Sequence, residues 1–132
     1  MVNERIFKPS YATELFAIAQ GDYESATALM SAKKGRPENT LFLFQQAIEK
    51  AIKAVICSRA EPVPFSCDPE ALLVRLADRD IPHAQAICDL TPYATIRRYE
   101  EGRFTISPED IIAASAVAHD VMQWARLKLG TK

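Results

Sequence analysis

The side chains able to do chemistry are few, and their spacing limits what they do. Cys57, Cys67 and Cys88 form an odd set with no Cys-x-x-Cys spacing. That is the pattern of free thiols in a reducing compartment, not of a disulfide framework. Nothing around any of the three marks an activated thiolate. A zinc site would need His83 or His119 together with thiolate and carboxylate ligands from several elements. His119 and Asp120 are adjacent, and successive helical residues point about 100° apart, so the two cannot jointly grip one ion. Gly21, Gly35, Gly102 and Gly130 are isolated, which leaves no glycine-rich phosphate loop. Neither a metal nor a cofactor is expected.

Polar residues in unusual places say more. On a helical wheel Asp22 falls between Leu15, Ile18, Ala26 and Leu29, inside an apolar stripe. A carboxylate there must be paired, since burying it alone costs several kcal/mol. It is either a structural ion pair near a bundle end or part of a functional groove with Lys50 or Arg98. Gln46, Glu49, Lys50 and Lys53 share an arc opposite the apolar face of their own segment, with Phe42 among them. A solvated face explains the charges, whereas Phe42 suits a partner surface. Arg97-Arg98-Tyr99 is the third candidate, because paired guanidiniums beside an aromatic can hold a phosphate and a base. The simpler reading is last-turn cations answering a helix dipole.

Five helical segments would position these groups. The first runs from about Ser10, as N-cap, to Lys33, with Leu15, Ile18, Ala19, Tyr23, Ala26, Leu29 and Met30 in one stripe. Lys33-Lys34-Gly35-Arg36-Pro37 ends it. The second spans about Asn39 to Ser58 and buries Leu41, Phe44, Ile48, Ala51, Ile52 and Val55. Glu61 to Cys67 contains two prolines and should be extended. A short third segment, Asp68 to Arg79, is amphipathic through Leu72, Leu73 and Leu76, and a fourth runs from about Pro82 to Tyr99, interrupted at Pro92. The fifth opens with Ser107-Pro108-Glu109-Asp110 and presents Ile111, Ala114, Ala118, Val121, Met122, Ala125 and Leu129 on one face until Gly130. No run alternates with period two, so strands are not expected. Short loops between long amphipathic helices predict an all-α, antiparallel four- to five-helix up-and-down bundle, one domain over residues 1–132 with its core in 10–129.

Composition narrows the function without naming it. With 132 residues, 48% apolar and 25% charged, the chain is long enough for a core and unlike a disordered one. Sixteen basic against 17 acidic residues give a net charge of −1, so no basic footprint for long nucleic acid dominates. The longest uncharged run, Asn39 to Ile48, is too short to span a bilayer. The opening residues lack an apolar signal core, which makes cytoplasmic the simplest expectation.

Phe44-Gln45-Gln46-Ala47-Ile48-Glu49-Lys50-Ala51-Ile52-Lys53-Ala54 resembles the second-helix signature of the HEPN family, named for nucleotide binding in higher eukaryotes and prokaryotes. Ala19-Gln20-Gly21-Asp22-Tyr23 through Ala26 resembles that family's first helix, Arg98-Tyr99 its Arg-Tyr at the close of the fourth, and the alanine-rich last helix fits as well. The resemblance covers about residues 10–129 and implies a helical bundle that homodimerises. Such proteins are often encoded beside a nucleotidyltransferase as a two-component module, some of them toxin–antitoxin pairs. Ribonuclease members carry Arg, four to six residues, then His. Here the corresponding positions after Arg97 or Arg98 are Gly102 to Thr105, and Arg79 to His83 is too short. The family's Ser/Thr-His-Asp-Leu before the third helix reads Ser66-Cys67-Asp68-Pro69.

The expectation is therefore a non-catalytic homodimer binding a nucleotidyltransferase-like partner, a nucleotide or RNA. Its groove would comprise Asp22, Gln46, Glu49, Lys50, Lys53, Arg97, Arg98 and Tyr99. The alternatives are a divergent ribonuclease using a non-standard Arg/His pair, and a plain helical adaptor.

Overall fold

Proline at the first helical position, with acids in the turn behind it, starts two of the three 22-residue helices that carry the architecture. The computed structural model describes residues 4–64, 69–76, 78, 80–89 and 106–130. Among them it contains α1 (Tyr11–Ala32), α2 (Pro37–Ser58), α3 (Pro69–Arg75), α4 (Ala84–Asp89) and α5 (Pro108–Leu129). The expected all-α bundle is found. A short ladder was not foreseen: β1 (Glu4–Arg5) pairs antiparallel with β2 (Val63–Pro64), Glu4 opposite Pro64 and Arg5 opposite Val63. The extended segment after α2 supplies one side of this ladder, and the chain before α1 the other.

The long helices lie close to their expected bounds because their stop signals are strong. Lys33 takes the left-handed conformation at φ 55°, and the N–H of Lys34 reaches the carbonyl of Leu29 at 3.2 Å. That closes α1 with a Schellman-type turn before Gly35 is reached. Gly130 ends α5 in the same way at φ 69°. The start of α5 is a capping box: Ser107 Oγ accepts the Asp110 N–H at 3.2 Å, and Asp110 Oδ2 accepts the Ser107 N–H at 2.9 Å. Ser10 does not cap α1. Its backbone is already helical, and its hydroxyl makes no capping bond.

The α1–α2 hairpin and α5 enclose the core, and α2 is its axis, packed against both of the others. All six of its expected core residues are buried, but so are Thr40, Gln45, Ala47, Glu49, Ala54, Ile56 and Cys57. Alanines 47, 51 and 54 of α2 and alanines 19 and 26 of α1 have no exposed surface, so the helices approach closely. Tyr23 meets Phe44 edge to face at 5.9 Å. The buried face of α1 is rotated from the expected stripe: Phe16 is inside and Ile18 is 45% exposed. On that side of α1, Arg126 of α5 places its guanidinium 5.5 Å from the Phe16 ring and bonds Gln20 at 3.1 Å. On α5, Val117 and Trp124 join the core in addition to the expected face.

The third and fourth helices are shorter than expected. Asp78 and Asp80, at the end of the expected third segment and just past it, bond instead to side chains of α5 and the end of α2. His83 sits left-handed at φ 59°, which delays α4 to Ala84. The rest of the expected fourth segment, from residue 90, lies outside the described residues, as does Cys67. The two serines give a direct test of the capping geometry. Ser107→Ala should lower unfolding free energy in urea by about 1 kcal/mol, whereas Ser10→Ala should change it by less than about 0.5 kcal/mol.

Candidate functional site

Because α2 is enclosed almost all the way round, its polar arc is not a solvated face. Gln46, Lys50 and Lys53 are half-buried, and Glu49 is 1% exposed. Glu49 therefore does not lie opposite the core, as its position in the arc suggested. It accepts a 3.0 Å hydrogen bond from Gln45 Nε2, one helical turn earlier. Gln45 Oε1 is buried without a hydrogen-bond partner among the described residues. The arc reading passed over Gln45, although its four-residue offset from Glu49 is the spacing that lets an amide reach a carboxylate.

Asp22 pairs with Lys50, Nζ to Oδ2 at 2.7 Å. The side chains keep 21% and 29% of their exposure, a setting in which such a pair is worth about 1 kcal/mol. Asp22 thus forms an ion pair as expected, but at mid-bundle and not near its end, since both partners sit in the middle of their 22-residue helices. The pair bridges α1 to α2; Ile18, one turn before Asp22 on α1, is exposed, and so is Phe42, two turns before Lys50 on α2, at 39%. The α1–α2 seam thus holds half-desolvated charges, and the same two helices also carry accessible apolar groups. Arg97, Arg98 and Tyr99 lie outside the described residues.

A second polar constellation was not anticipated. His83 Nε2 and His119 Nδ1 both contact Asp120, at 2.7 Å and 3.1 Å on different carboxylate oxygens. The His83 bond, then the His119 bond, holds the Asp120 carboxyl below its usual range. One turn further along α5, the Trp124 indole N–H donates to Asp80 at 3.2 Å, and another turn on Lys128 reaches Asp80 at 2.7 Å and Asp78 at 2.9 Å. The Arg59 guanidinium grips both oxygens of Asp78. Its hydrogen bond, with that of Lys128, keeps the Asp78 carboxyl well below the usual carboxylate range despite burial. Asp80 is lowered by Lys128 and Trp124, and Lys128 is raised by its two aspartates. The chain from Asp78 to His83 is thus tied along α5. The four-residue spacing of Asp120, Trp124 and Lys128 was a readable signal, but apart from His119 their partners, His83, Asp80 and Asp78, are 37 to 50 residues away in sequence.

Among the described residues no group of three His, Cys, Asp or Glu is arranged to hold a metal ion. Cys57 is buried, donates to the Lys8 carbonyl at 3.4 Å, and has its thiol pushed up by burial. That makes it a packing group and a poor nucleophile.

The polar tie has a pH signature. A carboxylate whose folded pKa lies below its unfolded value of about 4 contributes stability that is complete above that pH. That contribution is lost as acidity rises toward the folded value. Asp78→Asn should therefore cost about 2 kcal/mol at pH 7 by leaving Arg59 and Lys128 without their shared partner. It should also make the acid-side decline in stability shallower than in the wild-type chain, as followed by Trp124 fluorescence. Equal stability at pH 7 would contradict the assigned geometry.

Comparison with known proteins places the bundle. The crystal structure of TT1696 from Thermus thermophilus matches with a TM-score of 0.76 at 21% identity, covering 89% of this chain and 98% of that one. At that identity the likeness is one of fold. No curated protein sequence gives a significant match. Among the described residues no helix is long and apolar enough to cross a membrane. The family model of the HEPN domain matches residues 12–128, a span that takes in nearly all of α1, the α2 signature and nearly all of α5, and the chain belongs to the HEPN domain family.

Proposed function

We propose that the chain works as a single non-catalytic HEPN domain that homodimerises and uses the α2 seam to bind a nucleotidyltransferase-like partner or a nucleotide. It would form half of a two-component module of the toxin–antitoxin kind. The observation that carries this reading is the half-desolvated state of the seam. Asp22 and Lys50 are paired, Glu49 is buried beside Gln45, Gln46 and Lys53 are half-buried, and Phe42 and Ile18 stand exposed on the same two helices. A charge already stripped of part of its water loses less on binding, and exposed apolar groups gain from being covered. Arg97, Arg98 and Tyr99 are assigned to the same groove from the sequence alone.

Coexpression with the product of the adjacent open reading frame should give one co-eluting complex in size-exclusion chromatography. Two separate peaks argue against the partner form. Calorimetric titration with ATP separates the nucleotide form, which absence of heat removes. In whichever assay binding is found, Lys53→Glu should weaken it at least tenfold while leaving the helical signal in circular dichroism intact.

A ribonuclease reading draws on one specific observation: both histidines contact Asp120, and a carboxylate can hold an imidazole in one tautomer for proton transfer. It requires RNA cleavage by the wild-type protein that drops at least a hundredfold in His83→Ala or His119→Ala. Cleavage unchanged in both variants, or none in the wild type, eliminates it.

A further inference from the structure

At the end of the bundle where α1 stops, a cleft of about 420 Å³ opens between the C-terminal turn of α1, the link into α2 and the first turn of α5. Its walls are apolar: Leu29 and Met30 on one side, Pro108, Ile111 and Ile112 on the other. Ile112 remains 62% exposed. Lys33 and Lys34 also line the cleft, and no carboxylate does so among the described residues. Of the nearby acids, Glu38 is held by Arg36 at 3.2 Å and Asp110 by the capping box, while Glu109, in the first turn of α5, faces solvent and does not line the cleft. Lys50 and Lys128 have carboxylate partners, whereas Lys33 and Lys34 have none among the described residues. A recess of this size lies in the range of small-molecule sites, with apolar walls for a tail and two unpaired ammonium groups for a head group.

We infer that this cleft binds a small free amphiphilic anion, a hydrocarbon tail ending in one carboxylate. Charge complementarity selects the sign. The walls take up a tail from water, and the unmatched ammonium groups of Lys33 and Lys34 take the carboxylate. The occupant is a dissolved molecule, because a cleft of about 420 Å³ has room for one short hydrocarbon tail. The cleft shares no residue with the α2 seam, so binding here stands or falls independently of binding there.

The test is a titration of the intact chain with decanoate below its aggregation concentration, with octanoate, acetate and decyltrimethylammonium as comparisons. Carbon-13 methyl NMR of Met30 reports the location. Saturable binding of one decanoate is expected, at least tenfold tighter than decyltrimethylammonium, weaker for octanoate by up to about fourfold per methylene lost, and absent for acetate. The Met30 methyl resonance should move with saturation. The double variant Lys33→Gln, Lys34→Gln should weaken decanoate about tenfold, and Ile112→Asp, at an exposed position, should abolish binding without unfolding the chain. Any of four results overturns the assignment: no saturable binding, equal affinity for anion and cation, binding that leaves Met30 unmoved, or capture only by phosphatidylglycerol vesicles.

Discussion

A helix packed on nearly every side has no face on which to discharge its polar residues into water, and α2 is in that position. Its apolar residues form the contact with α1 and α5, and its alanines let both come close. Every polar side chain it carries must then find a partner inside the molecule or lie at a seam where water still reaches. Glu49 takes the amide of Gln45, Lys50 takes Asp22 across the hairpin, and Gln46 and Lys53 keep partial access to solvent. The candidate site is a consequence of this packing. It collects the polar groups that the central helix cannot hide and cannot fully expose.

The same constraint explains why the short helices are tied on differently. With α2 already covered by α1 and α5, the stretch that carries α3 and α4 adds a few apolar anchors, Leu72 on α3, Leu76 and Ile81 between the two helices and Ile87 on α4, and otherwise depends on the polar tie from Asp78 to His83. Charge-assisted bonds at a partly exposed surface are individually modest. Sharing raises their effect, because Asp78 answers two cations and Lys128 answers two carboxylates. Segments held this way open more readily than the hairpin, which owes its stability to area removed from water.

Seam and cleft differ in physical character. Paired charges with apolar neighbours suit a partner of mixed chemistry, while an apolar hollow with unpaired cations suits an amphiphile. Both arise where helix ends and helix sides leave the core incomplete, and neither involves the buried thiol of Cys57.

Much of the fold was legible because it depends on local signals. Pro108 behind a capping serine, Pro37 after a left-handed turn, and apolar residues at three- and four-residue spacing placed the long helices within a residue or two of where they lie. They also placed the α2 signature, and with it the family. A helical wheel reports which residues share a face but not how many neighbours a helix has. For that reason the wheel leaves the arc holding Glu49 solvated and puts Ile18 in the buried stripe of α1, whereas in the bundle Glu49 and Phe16 are buried and Ile18 is exposed. The need of Asp22 for a partner followed from its type and position. That the partner is Lys50, mid-hairpin, was settled by tertiary packing, as were the meeting of both histidines on Asp120 and the cleft behind Lys33. Helix periodicity and capping are properties of neighbours along the chain and are written in the sequence, whereas burial and charge pairing depend on residues tens of positions away, whose distance only the assembled bundle defines.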